Sequence, residues 1–359
     1  MRKSTAKRLD QQTEWIIPDP VFPSTRFQGS KLKIADWIWE SVQGLNFDSA
    51  LDAFGGTGSV GYMFKKKKKK VTYNDMLKFN WYIGLALIEN DSTKLNREDV
   101  DFLLKRHANI KYPTFISDTF HDIYFTDEEH IWIDTVAANI RMIDHTIKKA
   151  LAYFALFQSC ISKRPFNLFH RKNLYLRFSD VERSFGNKAT WDTPFETHFR
   201  KFAEEVNQAV FSNGRENRSV NLDVFDVEGY YDIVYIDTPY ISRKGIGVDY
   251  LGFYHFLEGL AHYENWPEMI DHRTKHKRLK GGTSVWTDKK RIHSAFDKLF
   301  HKFRDSILVI SYRADGIPSP GELVDLLKKY KQDIQKIKRK NYKYVLSANH
   351  SEEILLIGK

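Results

Sequence analysis

Residues 51–75 read LDAFGGTGSVGYMFKKKKKKVTYND. The run FDSALDAF (47–54) is short and apolar and meets glycines at 55, 56 and 58, which predicts a strand entering a tight loop. VTYND (71–75) reads as a second strand, reached through the lysine run 65–70 and closed by an acid. Strand, glycine loop, helix, strand and acid, in that order, open a nucleotide-binding α/β unit. Glycines let the backbone pass close to a ligand, and the helix N-terminus beyond them favours electron-rich groups. Asp75 follows Gly56 by nineteen residues, where a carboxylate can accept hydrogen bonds from both hydroxyls of a ribose. A nucleoside-containing cofactor is therefore expected. No Gly-Lys-Ser or Gly-Lys-Thr follows the loop, which argues against phosphate cradling; Gly56, Gly58 and Gly61 do fit G-x-G-x-x-G, so a dinucleotide stays open.

Outward from this unit, KLKIADWIWESVQGL (31–45) places Ile34, Trp37, Ile38, Val42 and Leu45 on one helical face, and MLKFNWYIGLALIEN (76–90) reads as the helix after the second strand. From 96 to 217 the pattern is helical, with REDVDFLLKRH (97–107), TVAANIRMIDHTIKKALAYFALF (135–157) and FETHFRKFAEEVNQAVF (195–211) separated by polar segments and no strand rhythm. Strand-like runs return in SVNLDVF (219–225), YDIVYID (231–237), SILVISYR (306–313) and EEILLIGK (352–359), with a helix at PGELVDLLKKY (320–330). The expectation is an α/β sheet interrupted by a mainly helical insertion. Residues 1–95 and 218–359 would form the two parts of one domain, and 96–217 the insertion. The lysine run 65–70 reads most plainly as a solvated loop.

The chain has 359 residues and is 42% hydrophobic and 14% aromatic, enough for a substantial core. Its net charge of +10 and pI near 9.3 point to a polyanionic partner, with nucleic acid ahead of a membrane surface. The single cysteine, Cys160, excludes an internal disulfide and a cysteine-rich metal site, and reads as a buried core residue. The N-terminus has basic residues without the apolar stretch of a signal peptide, and no uncharged segment approaches the length of a membrane span, so a soluble cytoplasmic protein is expected. Histidines show no metal-ligand spacing, and no metal is expected.

The strand IVYIDTPYI (233–241) ends in Asp237, Thr238, Pro239 and Tyr240. An acid at the carboxyl end of a parallel strand lies at the lip where α/β sheets bind substrates. Pro239 fixes its own φ and keeps Thr238 out of the helical region, so the Thr238 carbonyl is presented in a set direction. Two acceptors beside an aromatic face suit an exocyclic amine on a flat ring. Its lone pair is delocalised into the ring until acceptors hold its hydrogens, and the ring needs a stacking partner.

DTPY (237–240) resembles the D-P-P-Y motif of S-adenosylmethionine-dependent DNA adenine-N6 methyltransferases of the alpha group, the D12 class. DAFGGTG (52–58) is similar to their cofactor loop, RFQGSKLKIADWI (26–38) to the segment preceding it, and YND (73–75) to their second-strand acid. The order of leader, cofactor loop, long insertion and catalytic motif is also the alpha-group order. Thr238 stands where that family has its first proline, and Phe27 and Ser30 where it often has Tyr and Gly, which leaves Lys31 as the firmest match in the leader.

The resemblance implies a Rossmann-like methyltransferase sheet, mostly parallel and mixed at its C-terminal edge, with the insertion carrying target recognition. It implies that Asp237 and the Thr238 carbonyl, set by Pro239, bind the adenine amine while Tyr240 stacks on the flipped base. S-adenosylmethionine would be contacted by Phe27, Lys31, Asp52, Phe54, Gly55, Gly56, Gly58 and Asp75. Asp223, with Val224 beside it, is aligned with the acid near the cofactor's adenine, a role for which Asp226 competes.

The substrate implied is adenine in double-stranded DNA, extruded from the helix. The setting implied is restriction and modification, with a cognate endonuclease acting on the same site and the nucleoid of a prokaryote as the place of work. A cytosine-N4 DNA or an RNA adenine methyltransferase would use nearly the same pocket; cytosine-N4 enzymes more often carry Ser where Asp237 stands. In SKRPFNLFHRKNLYLR (162–177), Lys163, Arg164, Arg171, Lys172 and Arg177 are interleaved with aromatics and are expected to meet phosphates, a solvated basic loop being the plainer reading. The aromatic stretch 249–271 either covers the extruded base or packs in the core.

Overall fold

The computed structural model describes residues 19–179, 188–342 and 351–359. Its main sheet has seven strands: β1 (Ser49–Asp52), β2 (Lys70–Asn74), β3 (Arg218–Val220), β4 (Ile233–Ile236), β5 (Ile307–Arg313), β6 (Ile334–Tyr342) and β7 (Ser351–Gly358). They lie in the order β3-β2-β1-β4-β5-β7-β6. The pairs β3–β2, β2–β1, β1–β4 and β4–β5 are parallel, while β7 runs antiparallel to both β5 and β6. This is the mostly parallel sheet, mixed at its C-terminal edge, expected from the sequence.

Sheet burial explains the continuous apolar runs, since a parallel sheet covered on both faces needs apolar residues at every position. Successive residues go to opposite faces. Ala50, Ile233, Tyr235, Val309 and Leu355 enter one core; Leu51, Val234, Ile236, Leu308 and Leu356 enter the other. The second core is covered by α9 (Ile292–Lys302) and α10 (Pro320–Leu327), named after the helices that precede them in the chain. The first is covered by α1 (Ala35–Val42), α2 (Ser59–Lys66) and α3 (Lys78–Gly84).

Between α3 and β3 the described elements are helical: chiefly α4 (Arg97–Leu104), α5 (Asp127–Arg141), α6 (Thr146–Ser162) and α7 (Phe195–Ala209), with shorter turns. The sequence pattern 135–157 reads as one helix, but the chain breaks between α5 and α6, where His145 caps the new helix through the Lys148 N–H. These helices share the first core with the sheet. Phe79 meets Phe157 edge-on at 6.0 Å, Tyr82 meets Tyr153 at 4.5 Å, and the Tyr62 hydroxyl donates to the Ala209 carbonyl. After β4 comes α8 (Tyr250–Ala261), whose Tyr254, Phe256 and Leu257 are buried in the same core, so this part of the aromatic stretch packs inward. No helix among the described residues is long and apolar enough to cross a membrane.

Candidate active site

The strand order reverses between β1 and β4, and a cleft of about 690 Å³ opens at their carboxyl ends. That volume lies within the roughly 300–1,000 Å³ of small-molecule sites. β1 delivers the glycine loop to it. The Gly55 N–H donates to the Asn74 carbonyl, and a Cβ on Gly55 would lie 2.0 Å from the Tyr73 ring, so only glycine fits. Gly56 and Gly58 turn through φ of +50° and +75°, the left-handed region that favours glycine. Gly56 lines the cleft, whereas Gly58 shapes the entry to α2 from behind it.

Two acids face this loop. Asp52 accepts from the Gly61 N–H at 2.9 Å, and Asp75 accepts from Gly56 and Leu77, each at 2.9 Å. Burial raises Asp52 to about 7, opposed by the Gly61 N–H and reinforced by the charges of Asp237 and Asp75. Burial likewise raises Asp75 to about 6, against the hydrogen bonds from Leu77 and Gly56. Among the described residues neither acid has a basic ion-pair partner, so both are suited to a ligand that brings hydroxyl donors and positive charge.

β4, fully buried, holds Asp237 at its end. Lys31, only 3% exposed, places its ammonium 2.9 Å from Asp237 Oδ1 and 3.4 Å from Glu353 Oε1, and donates to the Tyr240 hydroxyl. Tyr240 in turn donates to Asp237 at 2.7 Å, and Ser311 donates to Glu353 at 2.6 Å. Burial raises the Asp237 carboxyl; Lys31 pulls it down and Glu353 pushes it up. Glu353 sits on β7, and the sequence reading passed over it because nothing local to EEILLIGK marks one acid as buried beside a site at the other end of the chain.

The cleft takes in Lys31, Asp52, Phe54, Gly55, Gly56 and Asp75 from the first half of the chain, and Asp223, Val224, Asp237 and Pro239 from the second. Asp226, the rival to Asp223, does not line it. Two expectations need correction, those for Phe27 and Tyr240. The Phe27 ring is buried against Phe79 and Tyr254, and the neighbouring Gln28 and Gly29 line the cleft instead. The Thr238 side chain is buried, with no hydrogen-bond partner for its hydroxyl among the described residues, which leaves the role expected of its backbone carbonyl untouched. The Tyr240 ring is buried edge-on against Tyr312 at 5.3 Å and offers no open face to a base, because its hydroxyl is drawn inward by Lys31 and Asp237. Trp286, edge-on to Phe54 at 5.1 Å and lining the cleft, is an aromatic wall that the sequence reading did not single out.

The basic stretch 162–177 divides. Lys163 and Arg177 are buried and both engage Glu129, Arg177 through two hydrogen bonds of 2.6 and 2.8 Å. Arg164 is buried against Tyr124 and Phe169 and donates to the carbonyls of Leu168, Tyr124 and Arg171. These three therefore act inside the fold and not on phosphates, a correction to the sequence expectation. Arg171 and Lys172 are exposed. Among the described residues no group of three or more His, Cys, Asp or Glu could hold a metal ion.

Known proteins match the sequence over most of the chain. The type II methyltransferase M2.HphI of Haemophilus parahaemolyticus is 30% identical over 86% of this chain and 88% of its own length. The type II methyltransferase M.FokI of Planomicrobium okeanokoites is 27% identical over 85% of this chain, which spans 47% of that longer protein. The type II methyltransferase M.NlaIII of Neisseria lactamica is 23% identical over 90% of this chain and 94% of its own. Residues 27–309 match the family described as D12 class N6 adenine-specific DNA methyltransferase, and the chain belongs to that family.

Proposed function

We propose that this adenine-N6 DNA methyltransferase draws its methyl group from S-adenosylmethionine, acts on an adenine extruded from a specific duplex site, and serves as the modification enzyme of a restriction-modification system. The observation that carries the reading is a single cleft lined both by the glycine loop of β1 and by Asp237 and Pro239 of the β4 motif. Donor and acceptor pockets thus share one space, as in-line transfer between two bound groups requires.

The residues present fit the cofactor. Gly55 and Gly56 would let backbone approach it, Asp75 would accept from the ribose hydroxyls, Asp52 would offer an acid to its positive end, and Asp223 and Val224 line the same cleft. When bound, the cofactor supplies a methyl on a sulfonium. Asp237 and the Thr238 carbonyl hold the adenine amine so that its lone pair leaves conjugation and points at that carbon. Lys31 and Tyr240 fix the Asp237 carboxylate from behind. The amine proton becomes acidic only after transfer, so Asp237 serves first as a hydrogen-bond acceptor and electrostatic partner. With Tyr240 covered, Trp286 and Phe54, which meet edge-on, join Tyr235 and Tyr250 as aromatic residues lining the cavity.

Restriction-type modification is supported by relatives named as type II methyltransferases, and a cognate endonuclease and a cytoplasmic setting at the nucleoid go with it. Incubation of duplex DNA with methyl-labelled S-adenosylmethionine, followed by nucleoside analysis, should place the label in N6-methyl-2′-deoxyadenosine. Sequencing-based mapping in cells expressing the protein should place it at one recurring sequence. Methyladenine scattered without sequence context would overturn site-specific modification, and failure to use S-adenosylmethionine would overturn the cofactor.

A further inference from the structure

The sequence DHRTKHKRLK (271–280), which follows the aromatic stretch, carries five basic residues against one acid, so ten residues account for +4 of the chain's net +10. In the structure they form a hairpin. Ile270 and Leu279 pair as an isolated antiparallel bridge and are both buried, the Asp271 N–H donates to the Arg278 carbonyl, and Lys277 closes the turn by donating to Thr274. The turn is tied to the molecule, since the Tyr124 hydroxyl lies 2.8 Å from both the His276 carbonyl and the Phe169 carbonyl. One hydroxyl thus sits between the hairpin and the segment that leads to exposed Arg171 and Lys172. Arg278, Leu279 and Gly281 line the cleft itself.

Most of the charge on this hairpin is displayed, although the Lys280 ammonium donates to the Glu268 carbonyl at 2.8 Å. Asp271 is engaged by Arg273 at 2.8 and 3.1 Å, while among the described residues no ion pair engages Lys275, Lys277, Arg278 or Lys280. His272, Arg273, Lys275, Arg278 and Lys280 are exposed. A surface of this kind attracts a polyanion, and its position at the rim of the cleft selects which one. The hairpin's Arg278 and Leu279 line the same cleft as Asp237, which puts its charge beside the path of a nucleic-acid strand entering that cleft.

We propose that the 270–280 hairpin is the element that grips the phosphate backbone of duplex DNA beside the extruded adenine, with Arg171 and Lys172 continuing the same basic surface. The proposal rests on the duplex-DNA reading above and adds to it the surface that holds the DNA. It also accounts for the burial of Lys163, Arg164 and Arg177. The grip is carried by a pinned hairpin after the catalytic motif, and the arginines of the helical segment hold the floor on which it stands.

The test is the Lys275→Gln, Lys277→Gln, Lys280→Gln triple variant of the full chain, assayed for duplex binding between 50 and 200 mM salt, with the cofactor dissociation constant as the control for folding. Each phosphate contact removed lowers the slope of log K against log salt by about 1, so a drop of about 2 to 3 is expected. The KM for duplex DNA should rise of the order of tenfold at the higher salt. Restoring charge with Lys275→Arg, Lys277→Arg and Lys280→Arg should return most of the affinity. Wild-type binding and slope in the glutamine variant would overturn the proposal, as would equal losses in the glutamine and arginine variants. If the wild-type chain itself binds no duplex, or binds only RNA, the duplex reading fails instead, and the two failures are told apart by that control.

Discussion

Asp237 and Asp52 face the same cleft, but their environments give them different tasks. Asp237 is gripped by Lys31 and Tyr240, and replacing it with Ala removes an acceptor aimed at the reacting amine. Transfer should fall by roughly 10²–10³-fold or more while the cofactor dissociation constant changes little, because the cofactor contacts proposed above come chiefly from the glycine loop and the acids of β1 and β2. Single-turnover methylation beside cofactor titration checks this, and near-wild-type transfer in the variant would count against the assignment. Glu353 acts on Asp237 by charge, holding its carboxyl up. Glu353→Gln should therefore let Asp237 stay ionised to lower pH, and the acid limb of the kcat/KM profile should move toward lower pH; an unmoved limb would remove Glu353 from the electrostatics.

Asp52 has no ion-pair cation among the described residues, and burial pushes its carboxyl from the ordinary 3.8 up to about 7. A raised carboxyl binds protons more tightly in the folded state, so its contribution to stability is full at low pH and is lost as pH rises from about 4 to about 7. Asp52→Asn should stabilise the cofactor-free protein at pH 8 by up to ~4 kcal/mol, seen as a raised Tm, and weaken cofactor binding. A lower Tm at pH 8 would mean that the carboxylate stabilises the loop.

At the scale of elements, the glycine loop is shaped by what lies under it. Tyr73 of β2 occupies the space of a Gly55 side chain and donates its hydroxyl to the Gly56 carbonyl at 2.7 Å. Gly55→Ala must displace that ring, at an overpacking cost of typically ~1–3 kcal/mol, and should loosen the cofactor loop with it. Thermal unfolding and cofactor titration should both report the loss, and an unchanged Tm would show that Tyr73 moves freely. The loop and its strands were legible from LDAFGGTG and VTYND because glycine geometry and short apolar runs are local. The 270–280 hairpin was not, since its turn uses Lys277 at φ of +55° in place of a glycine or asparagine signal.

For the molecule as a whole, the helical segment between α3 and β3 is not a separate body. Phe157, Tyr153 and Val206 belong to the same core as Ala50 and Tyr235. Unfolding should accordingly be a single transition, with far-UV circular dichroism and tryptophan fluorescence giving coincident midpoints; two resolved steps would separate the segment from the sheet.

The sequence by itself determined the order of motifs, the α/β class and the acids at the strand ends, because each depends on backbone conformation over a few neighbouring residues. Only the tertiary structure decided which charges remain available. Glu129 takes up Lys163 and Arg177, and Lys31 from the first turn of the chain's fold meets Glu353 from its last strand. Tyr240, an expected stacking face, is turned inward by the same network. Burial and pairing of charge are set by residues far apart in the chain, and the energy that decides them, desolvation against a partner's field, has no signature in a local pattern.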